Sequence, residues 1–165
     1  FAGGEQELAD YLHKNRFVEM LPVPYVNDTR NIGKNDNLMS INNTLMVDLT
    51  GQVCSESIGF NQFSGTGGQL DFVRGAKYSK GGKSFIALNS TAETKNGTVS
   101  KITCALPPGT AVTTPRTDTQ YVVTEYGIAD VWGRTIPERV EALISIAHPD
   151  FRDQLTLEAK EAKLI

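Results

Sequence analysis

The sequence predicts a single mixed α/β domain built on an open, largely parallel sheet flanked by helices. Three observations lead there. The compact apolar run Ser84-Phe85-Ile86-Ala87-Leu88 has the length and composition of a buried strand. Thr135, followed by Pro137 and Glu138, opens a helix with capping-box character. Strand-like and helix-like segments are intermixed along 165 residues without an internal repeat or a linker, and that length suffices for one domain with a sizeable core.

Phe1-Ala2-Gly3-Gly4 reads as the end of a strand entering a glycine turn, as in a polypeptide cut from something longer. Glu5 to Asn15 follows as a helix with Leu8, Tyr11 and Leu12 on one face. Phe17 to Val26 reads as extended, because Pro22 and Pro24 each disfavour helix in the residue before them. Asn27 to Asn37, rich in Asn, Asp and Gly, reads as loop. Leu38 to Leu49 alternates in part and reads as one strand. A polar, glycine-punctuated stretch then leads to a short helix from Gln69.

After the Ser84–Leu88 strand, Asn96-Gly97 signals a turn before a strand over Thr98 to Leu106. Ala111 to Thr114 and Tyr121 to Thr124 read as further strands, the latter ending at Glu125-Tyr126-Gly127. The helix begun at Thr135 carries Val140, Leu143, Ile144 and Ala147 on one stripe and stops near His148-Pro149. His148 reads as a helix-end residue, favourable there when charged. A last helix, from about Asp150, places Leu155, Leu157, Ala159 and Leu164 inward.

Composition narrows the function classes. The net charge is -3 and no basic run is present, which argues against nucleic acid as the main partner. No apolar stretch approaches the ~20 residues that span a bilayer, and no signal-peptide pattern opens the chain. Cys54 and Cys104 stand far apart without a CxxC companion, so reduced thiols in a cytosolic protein are expected. With His13 and His148 isolated, no metal site is expected.

The stretch with most chemical content is Ser64-Gly65-Thr66-Gly67-Gly68-Gln69. Glycines let a backbone turn sharply and bring bare N–H groups close to a ligand. With a helix starting at Gln69, those groups lie at its N-terminus, where the dipole favours negative charge. The spacing matches neither the dinucleotide fingerprint nor the P-loop. Phosphate and oxyanion sites share the form, and so do plain tight turns.

Several segments together resemble the C-terminal domain of the acetyl-CoA hydrolase/transferase family, which includes 4-hydroxybutyrate and butyryl-CoA:acetate CoA-transferases. They are Tyr25-Val26-Asn27-Asp28, Asn35 to Asn42, Val47 to Val53, Cys54-Ser55-Glu56-Ser57-Ile58-Gly59, Ser64 to Ala76, Tyr121 to Ala129 and Ile146 to Arg152. They follow the family's order and cover nearly the whole chain.

The resemblance implies CoA transfer between a short-chain acyl-CoA and a carboxylate of the acetate, butyrate or 4-hydroxybutyrate type. A glutamate attacks the thioester and expels CoA thiolate, leaving an acyl-glutamyl anhydride; the thiolate then attacks the anhydride to give a glutamyl-CoA thioester. Such a carboxylate nucleophile must be held dry, and each developing oxyanion needs donors, typically worth ~3–4 kcal/mol apiece. CoA is thereby a substrate, with no permanently bound cofactor. An acyl-CoA hydrolase, or a non-catalytic CoA-binding module, are the other readings of the same scaffold.

On that resemblance the Gly67 and Gly68 N–H groups are the oxyanion donors, and Gly65, Thr66 and Gln69 shape the pocket for the thioester arm. Asn42 orients the glutamate or bonds the CoA arm, with Asn43 as the neighbour that shares or exchanges the role; a turn-capping Asn is the plain alternative. Lys95, then Lys80, are the candidates for the CoA phosphates among the lysines that follow the loop. Glu125 either lines the pocket or pairs with Arg116 or Arg134. The family's nucleophile lies in a His-Ser-Glu-Met-like segment, which this sequence lacks. It is expected upstream of Phe1, in an N-terminal domain that completes the site, within a homo-oligomer. Glu56, in Ser55-Glu56-Ser57, is the rival nucleophile through a partial likeness to the Ser-Glu-Asn-Gly motif of other CoA-transferases.

Overall fold

Parallel strands joined through a helix fix the frame of the molecule. The computed structural model describes residues 3–165, so the strand end expected at Phe1-Ala2 lies outside the described residues. In chain order the elements begin α1 (Gln6–Leu12), α2 (Val23–Val26), α3 (Thr29–Ile32), β1 (Met39–Asn43), β2 (Met46–Asp48), β3 (Val53–Cys54), β4 (Ser57–Ile58), β5 (Asn61–Gln62) and α4 (Gln69–Tyr78). They continue with β6 (Lys83–Ala87), β7 (Thr91–Thr94), β8 (Gly97–Ser100), β9 (Ile102–Thr103), β10 (Tyr121–Thr124), β11 (Gly127–Asp130), α5 (Ile136–Ser145) and α6 (Pro149–Glu161).

The main sheet has the order β1-β6-β10-β11. β6 pairs in parallel with both β1 and β10, and β11 closes one edge antiparallel to β10. This is the mixed, largely parallel sheet that the sequence predicts. β6 is central, and its Ser84 and Ile86 are buried, as a strand covered by neighbours requires. α4 makes the crossover from β1 to β6 and turns Val73, Gly75 and Ala76 inward. A side chain on Gly75 would collide with Ile32 of α3, which lets the two helices pack closely. A second sheet, β3-β2-β9, shares one core with the first: Val47, Leu49, Val53 and Ile102 meet Val73, Ile86 and Val122, with Val140, Leu143, Leu155 and Ala159 from α5 and α6.

Some local expectations change. Leu38 to Leu49 is two strands in two sheets: at Thr44 the N–H still donates to Ala87 O in the first sheet, while the hydroxyl donates to Cys54 O in the second. Val23–Val26 is a helical turn, because Pro24 lies in its first turn, where a missing N–H costs nothing. Thr29–Ile32 is helical because Asp28 caps it, accepting from the Arg30 and Asn31 N–H groups. Thr98 to Leu106 divides into β8 and β9, and Ala111 to Thr114 contributes only the bridge from Thr114 to Val53.

The capping box of Thr135 and Glu138 is present as expected. α5 ends at Ser145, however, so His148 caps the start of α6 instead. Its Nδ1 accepts from the Asp150 N–H at 3.3 Å, so the ring serves the helix that follows and not the one before. Leu157 is exposed on the far side of α6 from Leu155 and Ala159. Leu8 and Tyr11 of α1 are exposed as well.

Candidate active site

The C-terminal edge of a parallel sheet is where open α/β folds gather ligand-binding groups. Here that edge carries the ends of β1, β6 and β10, and the N-terminus of α4. A groove of about 570 Å3 opens there, bounded by Val23, Asn27, Asn42, Gly67, Gly68 and Phe72 among others. Two of the site elements expected from the sequence, the glycine pair and Asn42, therefore line one groove.

Gly67 and Gly68 are required for different reasons. Gly67 has φ +56°, in the left-handed region, with open space around it. Gly68 caps α4 at φ -99°, and a Cβ there would lie 2.5 Å from Asn27 Nδ2. Neither N–H has a protein acceptor among the described residues, so both are free for a ligand. Gly65 is also unencumbered, and Thr66 is exposed beside it. Asn27 donates to Asp71 Oδ2 at 3.4 Å, across the first turn of α4. Its part in the groove is not visible in the sequence, where it is one more polar loop residue separated from Gly68 by the whole of β1 to β5.

Gln69 lines the groove but its amide is committed elsewhere. Oε1 accepts from the Ser55 hydroxyl at 2.6 Å, and Nε2 donates to Thr114 Oγ1 at 3.0 Å. The residue is 8% exposed. Asn42 Nδ2 donates to Ser40 Oγ at 2.9 Å, leaving its carbonyl oxygen without a protein donor among the described residues. Asn43, on the opposite strand face, accepts from the Thr44 N–H and so caps the strand end.

The lysines separate. Lys95 is exposed at the tip of the β7–β8 hairpin, which leaves the same sheet edge as the groove. Lys80 follows the other end of α4, about 15 Å of helix away, where its carbonyl accepts from the Asn37 N–H. Lys77 is held at 2.6 Å by Asp118 and lies over the Trp132 ring.

Glu125 pairs with neither Arg116 nor Arg134. Its carboxylate accepts from the Ser90 hydroxyl at 2.6 Å and from the Ser90 N–H at 2.9 Å. These bonds, the hydroxyl foremost, hold its pKa below the usual carboxylate range despite desolvation. Glu56 is 7% exposed; its carboxylate accepts from Thr113 Oγ1 at 3.0 Å and from Gln62 Nε2 at 3.4 Å. Lys101 was not singled out by the sequence. Its ammonium donates to Thr44 O at 3.2 Å, and desolvation lowers its pKa against the raising effect of Glu125.

Residues 4–159 match the family model described as the acetyl-CoA hydrolase/transferase C-terminal domain. The chain belongs to this family. It is 55% identical, over its whole length, to a succinyl-CoA:cyclohexane-1-carboxylate CoA transferase of Geobacter metallireducens, and covers 37% of that protein. It is 54% identical over 98% of its length to a 4-hydroxybutyrate coenzyme A transferase of Clostridium kluyveri, again covering 37% of it. Among solved structures, RipA from Yersinia pestis superposes over 100% of the chain and 37% of its own, with a TM-score of 0.91 and 51% identity. The domain thus spans little more than a third of the relatives it matches.

Proposed function

We propose that this domain forms the C-terminal part of a CoA-transferase moving CoA between a short-chain acyl-CoA and a carboxylate of the acetate, butyrate or 4-hydroxybutyrate type. The observation that carries the reading is the groove lined by Asn42 together with Gly67 and Gly68, whose N–H groups have no protein acceptor among the described residues.

In this reading a glutamate from the upstream domain attacks the thioester carbonyl. The oxyanion that forms accepts from Gly67 and Gly68 N–H, at a helix N-terminus that favours negative charge. CoA thiolate leaves, then returns to the acyl-glutamyl anhydride; the carboxylate departs, and glutamyl-CoA remains. The incoming carboxylate reverses both steps. Asn42 holds the glutamate through its remaining N–H, or the CoA arm through that N–H and its free carbonyl oxygen. Gly65 and Thr66 leave room for the thioester arm, while Gln69 shapes the pocket from behind. Lys95 is favoured for the CoA phosphates because its hairpin follows the C-terminal end of β6, the edge that carries the groove, whereas Lys80 follows the far end of α4.

Glu56 is read as structural, since its carboxylate is engaged by Thr113 and Gln62. Cytosolic location and homo-oligomeric assembly complete the proposal. Incubating the full-length parent with an acyl-CoA and acetate tests it. Acyl exchange supports the transferase; CoA release without exchange marks a hydrolase, and neither marks a binding module.

A further inference from the structure

Between Ser64, whose carbonyl accepts from Gln62 Nε2 and whose hydroxyl donates to Gly65 O, and Gly68 beside Asn27, the exposed loop has little to hold it. Ideal Cβ atoms on Gly65 and Gly67 would meet no atom within 4 Å. The direction of its N–H groups is therefore set by its two ends, and both ends are gripped by the same dipeptide. At the entrance, the Glu56 carbonyl accepts from the Phe63 N–H at 2.7 Å and from the Ser64 N–H at 3.2 Å. At the exit, the Ser55 hydroxyl donates to Gln69 Oε1 at 2.6 Å, one residue after Gly68.

The dipeptide is itself fixed from Thr113 and Thr114. Thr113 Oγ1 accepts from the Ser55 N–H at 2.9 Å and donates to the Glu56 carboxylate at 3.0 Å. Thr114 Oγ1 accepts from the Gln69 amide at 3.0 Å. Ser55 Oγ also lies 3.0 Å from Thr44 Oγ1, at the end of the strand that carries Asn42. The grip thus refers the glycine loop and the Asn42 strand to one another.

We propose that Ser55-Glu56 is a clamp that sets the aim of the Gly67 and Gly68 N–H groups, with Ser55 and Gln69 as positioning residues that touch no substrate. This rests on the reading of the groove as the oxyanion site. It gives a role to Ser55-Glu56-Ser57, the motif that the nucleophile assignment leaves unused. Donors are effective only where they are held on the oxyanion's position, so a loosened loop costs turnover more than binding.

The test uses the full-length parent, with kcat, KM for acyl-CoA and Tm measured for Ser55→Ala, Ser55→Thr, Gln69→Met and Gly68→Ala. Ser55→Ala is expected to lower kcat by about tenfold or more, to leave KM for acyl-CoA within about twofold, and to be rescued largely by Ser55→Thr. Gln69→Met should give the same selective loss, and combined with Ser55→Ala should add little, as members of one network do. Unchanged kcat in both single variants, or a fall in Tm with kcat intact, overturns the clamp. If Ser55→Ala does not fold, Gln69→Met with Ser55→Thr decides by the same criteria. Gly68→Ala separates the two levels. If it loses turnover while Ser55→Ala and Gln69→Met do not, only the clamp fails; if Gly68→Ala keeps full turnover, the groove reading fails with it.

Discussion

Asn27 occupies the space that a side chain on Gly68 would need, its Nδ2 standing 2.5 Å from the ideal Cβ position. About forty residues, β1 to β5 among them, separate the two in sequence, yet Asn27 also reaches Asp71 in the first turn of α4. Asn27, the residue that closes α2, is thus brought against the first turn of α4 at the groove, and glycine at position 68 is a consequence of that approach.

From this follows a contrast between the two glycines. Gly68→Ala in the parent pushes Asn27 aside at the groove mouth and should lower turnover far more than stability. Gly67→Ala meets open space but must hold φ +56°, at a backbone cost of about 1–2 kcal/mol. Steady-state kinetics beside thermal melts distinguish the cases. Equal loss of activity and stability in both would reduce the glycines to a turn.

Glu56→Gln should leave substantial exchange activity. The substituted amide still accepts from Thr113 Oγ1, and the carbonyl that holds Phe63 and Ser64 belongs to the backbone. Loss by several orders of magnitude in an acyl exchange assay would instead place the nucleophile at Glu56.

Asp118 predicts an acid-dependent stability. Burial alone would raise its carboxyl, but hydrogen bonds from Lys77 and Arg74, with their charges, outweigh burial and hold it below the usual range. A folded value below the unfolded one (about 3.9) stabilises the protein fully above that unfolded value. The contribution is lost as pH falls through the folded value. Asp118→Asn should therefore lower stability to urea at pH 7 and make less difference near pH 3. An equal effect at both would contradict the ion pairs seen here.

Arg139 has no carboxylate partner among the described residues although it is 8% exposed. It donates instead to the carbonyls of Thr50, Arg116 and Arg134, at 3.0, 2.7 and 3.2 Å. Arg139→Met leaves these acceptors buried and should destabilise the domain by about 2–4 kcal/mol, from ~1–3 per orphaned group with partial relief by water. Chemical denaturation of the variant measures it, and a change under about 0.5 kcal/mol would show the carbonyls to be satisfied otherwise.

Elements whose signals are local were legible in the sequence. The capping box of Thr135 and Glu138, the buried run of β6 and the Asn96-Gly97 turn each depend on neighbours a few residues apart. The switch of sheets at Thr44 was not, because it depends on Ala87 and Cys54, distant in sequence, each accepting from a different group of that one residue. β7 and β11 lack an apolar alternation, being held by pairing to a neighbouring strand. Within the site, the glycine pair was visible as composition. The Gln69 amide was not, since its partners Ser55 and Thr114 lie 14 and 45 residues away. Of the two readings of Glu125, pairing with an arginine fails for the same reason: its partner Ser90 lies 35 residues away and offers two neutral donors.

The central claim is that this domain supplies oxyanion donors to a nucleophile carried elsewhere in the parent. Mass spectrometry after incubation with an acyl-CoA and no acceptor tests it most directly, on the isolated domain and on the full-length protein. A CoA thioester on a glutamate upstream of Phe1 in the parent, and none on the isolated domain, is the predicted result. A CoA adduct on Glu56 of the isolated domain would contradict the account and make this chain catalytic by itself.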